Sequence, residues 1–441
     1  MVESVRVTLA EVVAEVGAER VAAVGLDNEG ETVLAWDAGT LRPLAPAVVW
    51  SCRRSQPIVD RLAATAAADE VERLAGTAVD PYFSATKIRW LVEQVPAVAG
   101  AAEAGRLRAG TLDAYVQARL GGRAQTDAST AARTQLQALA TPGAWNPRLC
   151  QIHGVDPDWL PAIGPSSGRL GSLNDGRHSL PLHASLVDQT AALAGHGCFA
   201  PGQVKATYGT GIFVLATTGT EPPAGRGLLP TVAWWADGFH AYALDGGVLS
   251  AGSAINWLRD GAGLLADPAE SETLAASVPD TGGVRFLPAL TGVGAPFWQS
   301  EARAAWTGIS AHTTRAHLVR AVLESLAFRV RDVLTALAEA GHRPGELRVD
   351  GGLTANRWFV QFQADVLGIP LRIAPTAEST ALGAAGLAGV AAGLFGFDAI
   401  TARATGGEVV EPSAASAGWR DRAYADWRTT AAAIAGLTVA S

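Results

Sequence analysis

The sequence predicts an α/β protein built as two domains. Three observations carry that expectation. The chain has 441 residues of which 49% are hydrophobic, more than a single core needs. Short apolar runs of strand length alternate with longer amphipathic or apolar segments of helical period, the pattern of layered α/β folds. Three glycine-rich turns, at Thr207–Gly211, Ser250–Ser253 and Asp350–Asn356, sit where a strand ends or a helix begins.

Residues 2–16 read as a helix, with Val5, Leu9, Val12, Val13 and Val16 on one face. Val21–Leu26 and Thr32–Trp36 read as strands separated by a turn at Asp27–Gly30, and Ala47–Trp50 reads as a third short strand. Ser55–Ala75 and Ser84–Val95 are expected to be helical, and Gly110–Leu120 a strand leading into a helix. The Pro-, Gly- and Ser-rich stretch 142–176 reads as irregular connections. From about Gly195 a second regime begins: a strand–turn–strand over Gln203–Leu215, a strand at Gly238–Leu244, and a helix following Gly247–Arg259. Arg315–Ala340 is the longest amphipathic segment. Glu346–Val349 is a strand ending on Asp350-Gly351-Gly352, Asn356–Leu367 a helix, Pro370–Ile373 a strand and Ala381–Gly393 an apolar helix. The expected domains are 1–194 and 195–441.

Composition excludes several classes. Charged residues are 17% and the net charge is -8, without a basic arm, which argues against nucleic-acid binding. Cys52, Cys150 and Cys198 are too sparse and scattered for a disulfide framework or a zinc site, and fit a reducing cytoplasm. The charged N-terminal segment is not a signal peptide. The uncharged stretch Ser379–Phe397 has the length of a membrane span, but is mostly Ala and Gly; it reads as a helix packed closely on a neighbour.

The glycine-rich turns allow close approach of backbone N–H groups to a ligand, and equally serve as ordinary turns or helix caps. No G-x-x-x-x-G-K-[ST] loop or G-x-G-x-x-G spacing is present. Asp188, between apolar Leu186–Val187 and Ala191–Leu193, reads either as a helix cap or as a base in a cleft.

The segment Tyr82-Phe83-Ser84-Ala85-Thr86-Lys87-Ile88-Arg89-Trp90-Leu91 and the later Ala304–Ile309 with His317-Leu318 and Ala321–Glu324 resemble the two signatures of the FGGY carbohydrate kinases. Family-like stretches flank them at Val48–Arg54, Asp80–Tyr82, Asp188–Leu193, Thr207–Phe213, Ala251–Asp260, Gly292–Trp298 and Val349–Asn356, so the resemblance spans the chain and runs nearest to the glycerol-phosphorylating members. It implies two actin-like, ribonuclease-H-like domains with ATP and a small polyol or sugar meeting in the cleft between them. It implies Asp188 as general base and Gln189 as a substrate contact. Trp50, Tyr82 and Phe213 would wall the carbon chain, and Glu31 would accept hydroxyl hydrogen bonds. Thr210 with Gly209 and Gly211 would hold phosphates. Gly252, Asn256, Gly352 and Asn356 would line the nucleotide site. The implied cofactors are ATP and Mg²⁺, with no metal ligand identified. A cytoplasmic homo-oligomer with no membrane or nucleic-acid partner is the matching expectation.

Two departures accompany the resemblance. Gly30 stands where glycerol-phosphorylating members carry Arg, which is expected to leave the pocket roomier and open to erythritol or a pentulose. The family's opening hairpin, with an Asp-x-Gly-Thr phosphate loop, is not read here; Met1 aligns with the helix that follows it, so the first domain is expected to be truncated. Two functional readings result: an ATP-dependent polyol or sugar kinase, or a non-catalytic homologue that binds sugar or nucleotide.

Overall fold

The computed structural model describes residues 1–437. Two sheets organise it. The smaller one has the order β1–β7–β6, formed by β1 (Val24–Asn28), β7 (Ser179–Val187) and β6 (Ser167–Asn174), with β1 parallel to β7. Beside it lie two-stranded pairings of β2 (Val33–Asp37) with β3 (Leu107–Thr111) and of β4 (Gln125–Asp127) with β5 (Ala162–Gly164). The larger sheet has seven strands. In spatial order they are β10 (Leu229–Ala236), β11 (Phe239–Val248), β9 (Ile212–Gly219), β8 (Val204–Tyr208), β14 (Leu347–Asp350), β15 (Leu371–Ile373) and β16 (Val409–Val410). A last pair joins β12 (Arg285–Leu287) to β13 (Ala305–Thr307).

The helix Arg315–Glu339 buries Val319, Val322, Leu326, Val330, Val333 and Leu337 in the core of the seven-stranded sheet, a helical-period stripe that the sequence displays. Its Thr314 and His317 form a capping box. The apolar helix Ser379–Ala391 lies against the helix Asp188–Gly195 and β1. A Cβ on Gly383 would stand 1.8 Å from the Ala191 carbonyl oxygen, and one on Gly195 1.9 Å from that of Ser379. Only glycine permits two helix backbones to approach so closely. This is the close-packed helix that the sequence implies, and no helix among the described residues is long and apolar enough to cross a membrane.

Several expectations are corrected. Segments 21–26 and 32–36 are strands shifted by one to three residues, but not partners: β1 pairs with β7 and β2 with β3. Ala47–Trp50 is not a strand. Val48 alone exchanges hydrogen bonds with Val33, and the Trp50 N–H donates to Thr32 Oγ1 instead. Ser55–Ala75 splits into Gln56–Ala63 and Ala67–Ala75, because Thr65 Oγ1 donates to the Leu62 carbonyl at 2.7 Å and accepts from Ala67 N. The stretch 142–176 holds a helix, Pro147–His153, capped by Asn146 and ended by Gly154 at φ 67, together with β5 and β6. An Asp-x-Gly-Thr tetrapeptide does occur, at Asp37–Thr40. It is a turn closed on itself, with Asp37 Oδ1 accepting from Gly39 N and Thr40 N and the carboxylate paired with Arg106.

Candidate functional site

The residues expected to form the site follow the carboxyl ends of parallel strands in both sheets, where open α/β sheets place their ligands. In the smaller sheet, Asn28 of β1 stands level with Val187 of β7. The chain leaving β1 carries Glu31, and the chain leaving β7 carries Asp188 and Gln189. In the larger sheet, Asp350 of β14 stands level with Thr207 of β8, so the turns Thr207–Gly211 and Asp350–Asn356 emerge side by side.

Asp188 is the first residue of its helix, with Val187 rather than Asp188 as cap. Its Oδ1 accepts from the Gln189 N–H at 2.7 Å. Burial and the neighbouring Glu31 charge raise its pKa to about 6, against the lowering effects of that N–H and of Lys205. A carboxylate tuned upward in this way is ionised near neutrality and basic enough to take a hydroxyl proton. Glu31 is buried, and Oε1 accepts from Arg133 Nε at 2.6 Å. Arg133 is buried as well. It also meets Asp245 Oδ2 of β11 at 3.2 Å and Tyr82 Oη at 3.4 Å, and so crosses from one sheet's residues to the other's. Asp245 Oδ1 has no hydrogen-bond partner among the described residues, and burial raises its pKa. Trp50 and Tyr82 meet edge to face at 5.9 Å, and Tyr82 meets Phe83 at 5.4 Å, forming an aromatic corner. A cavity of about 530 Å³ opens beside Tyr82 and Phe83, lined also by residues between Pro222 and Pro230 and by Trp298. Phe213 is half-buried on β9, opposite both Thr207 and Gly247.

The glycine turns interlock. A Cβ on Gly252 would stand 2.5 Å from the Gly209 carbonyl oxygen, and one on Gly351 2.4 Å from that of Tyr208. The N–H groups of Gly252 and Ser253 donate to the Gly209 and Thr210 carbonyls. Gly209, Thr210, Asn256 and Gly352 are exposed, and nothing lies within 4 Å of where a Cβ of Gly352 would be. Gly211 is buried, where a Cβ would meet the Val248 carbonyl. Asn356 is buried, with Oδ1 capping the helix Arg357–Leu367 through Phe359 N and Nδ2 donating to Ser271. Its side chain therefore holds the turn in shape.

Profiles of the FGGY family of carbohydrate kinases match twice: the N-terminal domain over residues 1–195 and the C-terminal domain over residues 204–392. The chain belongs to the FGGY family of carbohydrate kinases. It is 43% identical over 388 residues to the glycerol kinase of Rhodospirillum centenum, covering 87% of this chain and 78% of that protein. With the glycerol kinase of Stenotrophomonas maltophilia the identity is 41% over 446 residues, covering 99% and 89%. Among solved structures, Plasmodium falciparum glycerol kinase with ADP superposes with a TM-score of 0.85 at 30% identity, covering 92% of this chain and 83% of that one. Xylulose kinase from Rhodospirillum rubrum gives 0.85 at 26%, covering 98% and 88%. Both actin-like, ribonuclease-H-like domains of the FGGY fold are thus present. The expectation of a truncated first domain is not supported, since the N-terminal profile matches from residue 1 to 195. The chain is a carbohydrate or polyol kinase, an enzyme of ATP-dependent phosphorylation.

In this FGGY kinase Glu31, Trp50, Tyr82, Asp188 and Gln189 stand on the first sheet's side, and of these Tyr82 lines the cavity. Gly209, Thr210, Gly211, Gly252, Asn256, Gly352 and Asn356 stand on the second sheet's side. The expectation that Gly30 leaves the pocket roomier is corrected. A Cβ there would stand 2.9 Å from Arg133 Cγ and 3.0 Å from Val187 Cγ2, so that space is filled. Sequence reading missed Arg133, Asp245, Lys87 and Lys205. Lys87 is wholly buried, donates to the Glu31 carbonyl at 3.2 Å and the Tyr82 carbonyl at 2.5 Å, and has its pKa lowered to about 8 by burial. Its signal was available: a lysine one turn into a helix whose neighbours are otherwise core residues needs partners.

Proposed function

We propose that this kinase transfers the γ-phosphoryl group of ATP to a hydroxyl of glycerol or a polyol of similar size, with Asp188 as the general base. The observation that supports this most is Asp188 itself: a carboxylate raised to about 6, at the mouth of β7, with Lys205 of the other sheet among the charges acting on it. As the acceptor oxygen bonds to phosphorus, Asp188 takes its proton and ADP leaves with the electrons of the broken P–O bond. Glu31, fixed by Arg133, keeps Oε2 for an acceptor hydroxyl, and Asp245 Oδ1 is a second acceptor, without a partner among the described residues. Trp50, Tyr82 and Phe213 present apolar surface to the carbon chain. Thr210, Gly209 and Gly211 receive the phosphates, while Gly252, Asn256, Gly352 and Asn356 shape the nucleoside side. Open space at Gly352 and the exposure of Gly209 and Thr210 suit a nucleotide. Mg²⁺ bound together with the nucleotide would supply charge neutralisation for the transferred phosphoryl group. No group of three or more His, Cys, Asp or Glu able to hold a metal occurs among the described residues, so no side chain is assigned to it. Closure of the two domains on the cleft excludes water as a competing acceptor.

The relatives named glycerol kinase support glycerol over a pentulose, as does the filling of the Gly30 space by Arg133 and Val187. A cytoplasmic location, with three free cysteines, and a homo-oligomeric state complete the proposal. Coupled ADP release with glycerol, erythritol, xylulose and ribulose tests it. Glycerol is expected to give the highest kcat/KM; a pentulose preferred over glycerol would overturn the assignment of acceptor.

A further inference from the structure

Between the two halves of the cleft lies a buried amine that the reaction scheme leaves without a task. Lys205 of β8 has 0% exposure. Its Nζ donates to Gln189 Oε1 at 2.6 Å and to Thr207 Oγ1 at 3.0 Å. Gln189 directly follows Asp188. Thr207 opens the glycine turn and stands level with Asp350.

The charged and titratable groups around this amine come from every element packed on it. Asp188 faces it from the helix Asp188–Gly195, Asp245 from β11, Asp350 from β14 and Cys198 from the loop after that helix. Behind these, Arg133 lies on Asp245, His196 Nε2 on Asp350 at 3.3 Å, and Arg348 beside Cys198. Glu31 and Asp27 face Asp188 from the first sheet. Burying an ammonium is costly unless opposite charge and hydrogen bonds compensate it. Here three carboxylates from three separate elements offset that cost in part; burial still leaves the Lys205 pKa below the usual lysine value.

We propose that Lys205 is a positioning residue that keeps Asp188 ionised and orients the Gln189 amide, linking the acceptor side of the cleft to the phosphate side. The inference rests on the assignment of Asp188 as base. Burial, Glu31 and Asp27 all push Asp188 toward its neutral form. Opposing them are the Gln189 N–H and Lys205. With Gln189 Oε1 held by the ammonium, the NH₂ group is what Gln189 has left to offer an acceptor oxygen. The Thr207 contact places the same charge at the root of the phosphate turn. One cation thus answers to both ends of the transfer, without touching either substrate.

The test reads Asp188 directly. The full chain is labelled with aspartate carrying ¹³C in its side-chain carboxyl, and the Asp188 resonance is assigned by its loss in Asp188→Asn. In the wild type the resonance is expected to titrate near 6. In Lys205→Met the midpoint rises by about one unit or more, and in Lys205→Arg it stays within about 0.3 unit of the wild type. An unchanged midpoint in folded Lys205→Met overturns the inference. Where Lys205→Met does not fold, Thr207→Val is read instead. It alters no charge and removes one of the two anchors, so a rise of about 0.3 unit and a severalfold higher acceptor KM are expected. No change in either overturns the inference. The titration needs no turnover: a wild type that releases no ADP would sink the kinase assignment, while the Asp188 midpoints still decide the role of Lys205.

Discussion

Replacing Arg133 by Met removes the one guanidinium that meets both Glu31 and Asp245. The side chains of Arg133, Glu31 and Asp245 are 5%, 7% and 6% exposed, so solvent cannot take over the lost charge. Methionine fills most of the volume but leaves Glu31 without its guanidinium and Asp245 with the Lys205 ammonium as its remaining opposite charge. Removing one partner of a buried pair costs about 3–5 kcal/mol. At about 2–4 °C per kcal/mol for a chain portion of domain size, the thermal midpoint falls by at least about 6 °C. The loss depends on pH, with a definite sign. Burial already raises the Asp245 pKa above its usual carboxylate value, and loss of the cation raises it further. Its contribution is then present below the unfolded value and lost as pH rises through the folded one. The variant's deficit is therefore largest at pH 8 and shrinks toward pH 4.5. Arg106→Met serves as control: Arg106 pairs with Asp37 but its side chain is 61% exposed, so that loss stays below about 1 kcal/mol. Calorimetry of the three proteins across pH decides the matter. A loss in Arg133→Met no larger than in Arg106→Met, and flat with pH, would refute the reasoning.

Three further outcomes are expected. Gly30→Ala places a Cβ against Arg133 and Val187, lowering stability by about 1–3 kcal/mol through overpacking and raising the acceptor KM; denaturant titration and steady-state kinetics read both. Gly383→Val drives a side chain into the Ala191 carbonyl and should abolish folded protein in expression trials, whereas Gly100→Val, with nothing within 4 Å, should not. Asp188→Asn should be more stable than the wild type at pH 8 by about 1–3 kcal/mol, because a folded pKa raised to about 6 means that ionisation above that pH weakens the wild-type fold; by pH 4 the difference should vanish.

Much of this architecture was legible from local pattern. The helix Arg315–Glu339 announces itself by its stripe, and the strand–turn–strand at Thr207 by glycine between apolar runs. Asp188 was found because its motif is short and contiguous. What was not legible depends on contacts between distant residues. Whether Val21–Leu26 pairs with its neighbour in sequence or with Ser179–Val187 is decided by tertiary packing, not by the run itself. Asn146 followed by Pro147 is a helix start, but the surrounding Pro and Gly masked it. Arg133 and Lys205 carry no local signature: an arginine after Ala131-Ala132 and a lysine inside a strand look like surface residues until the fold buries them against carboxylates. Gly30 taken alone suggested space, while its neighbours Arg133 and Val187, about 100 and 157 positions away, fill it.

The central claim is that Asp188 takes the acceptor proton. Its most direct test is ADP release with glycerol in the wild type and in Asp188→Asn, at saturating ATP, with nucleotide affinity measured separately. The account predicts that kcat falls by about 100-fold or more while the ATP affinity is unchanged. Turnover in Asp188→Asn equal to that of the wild type would contradict it.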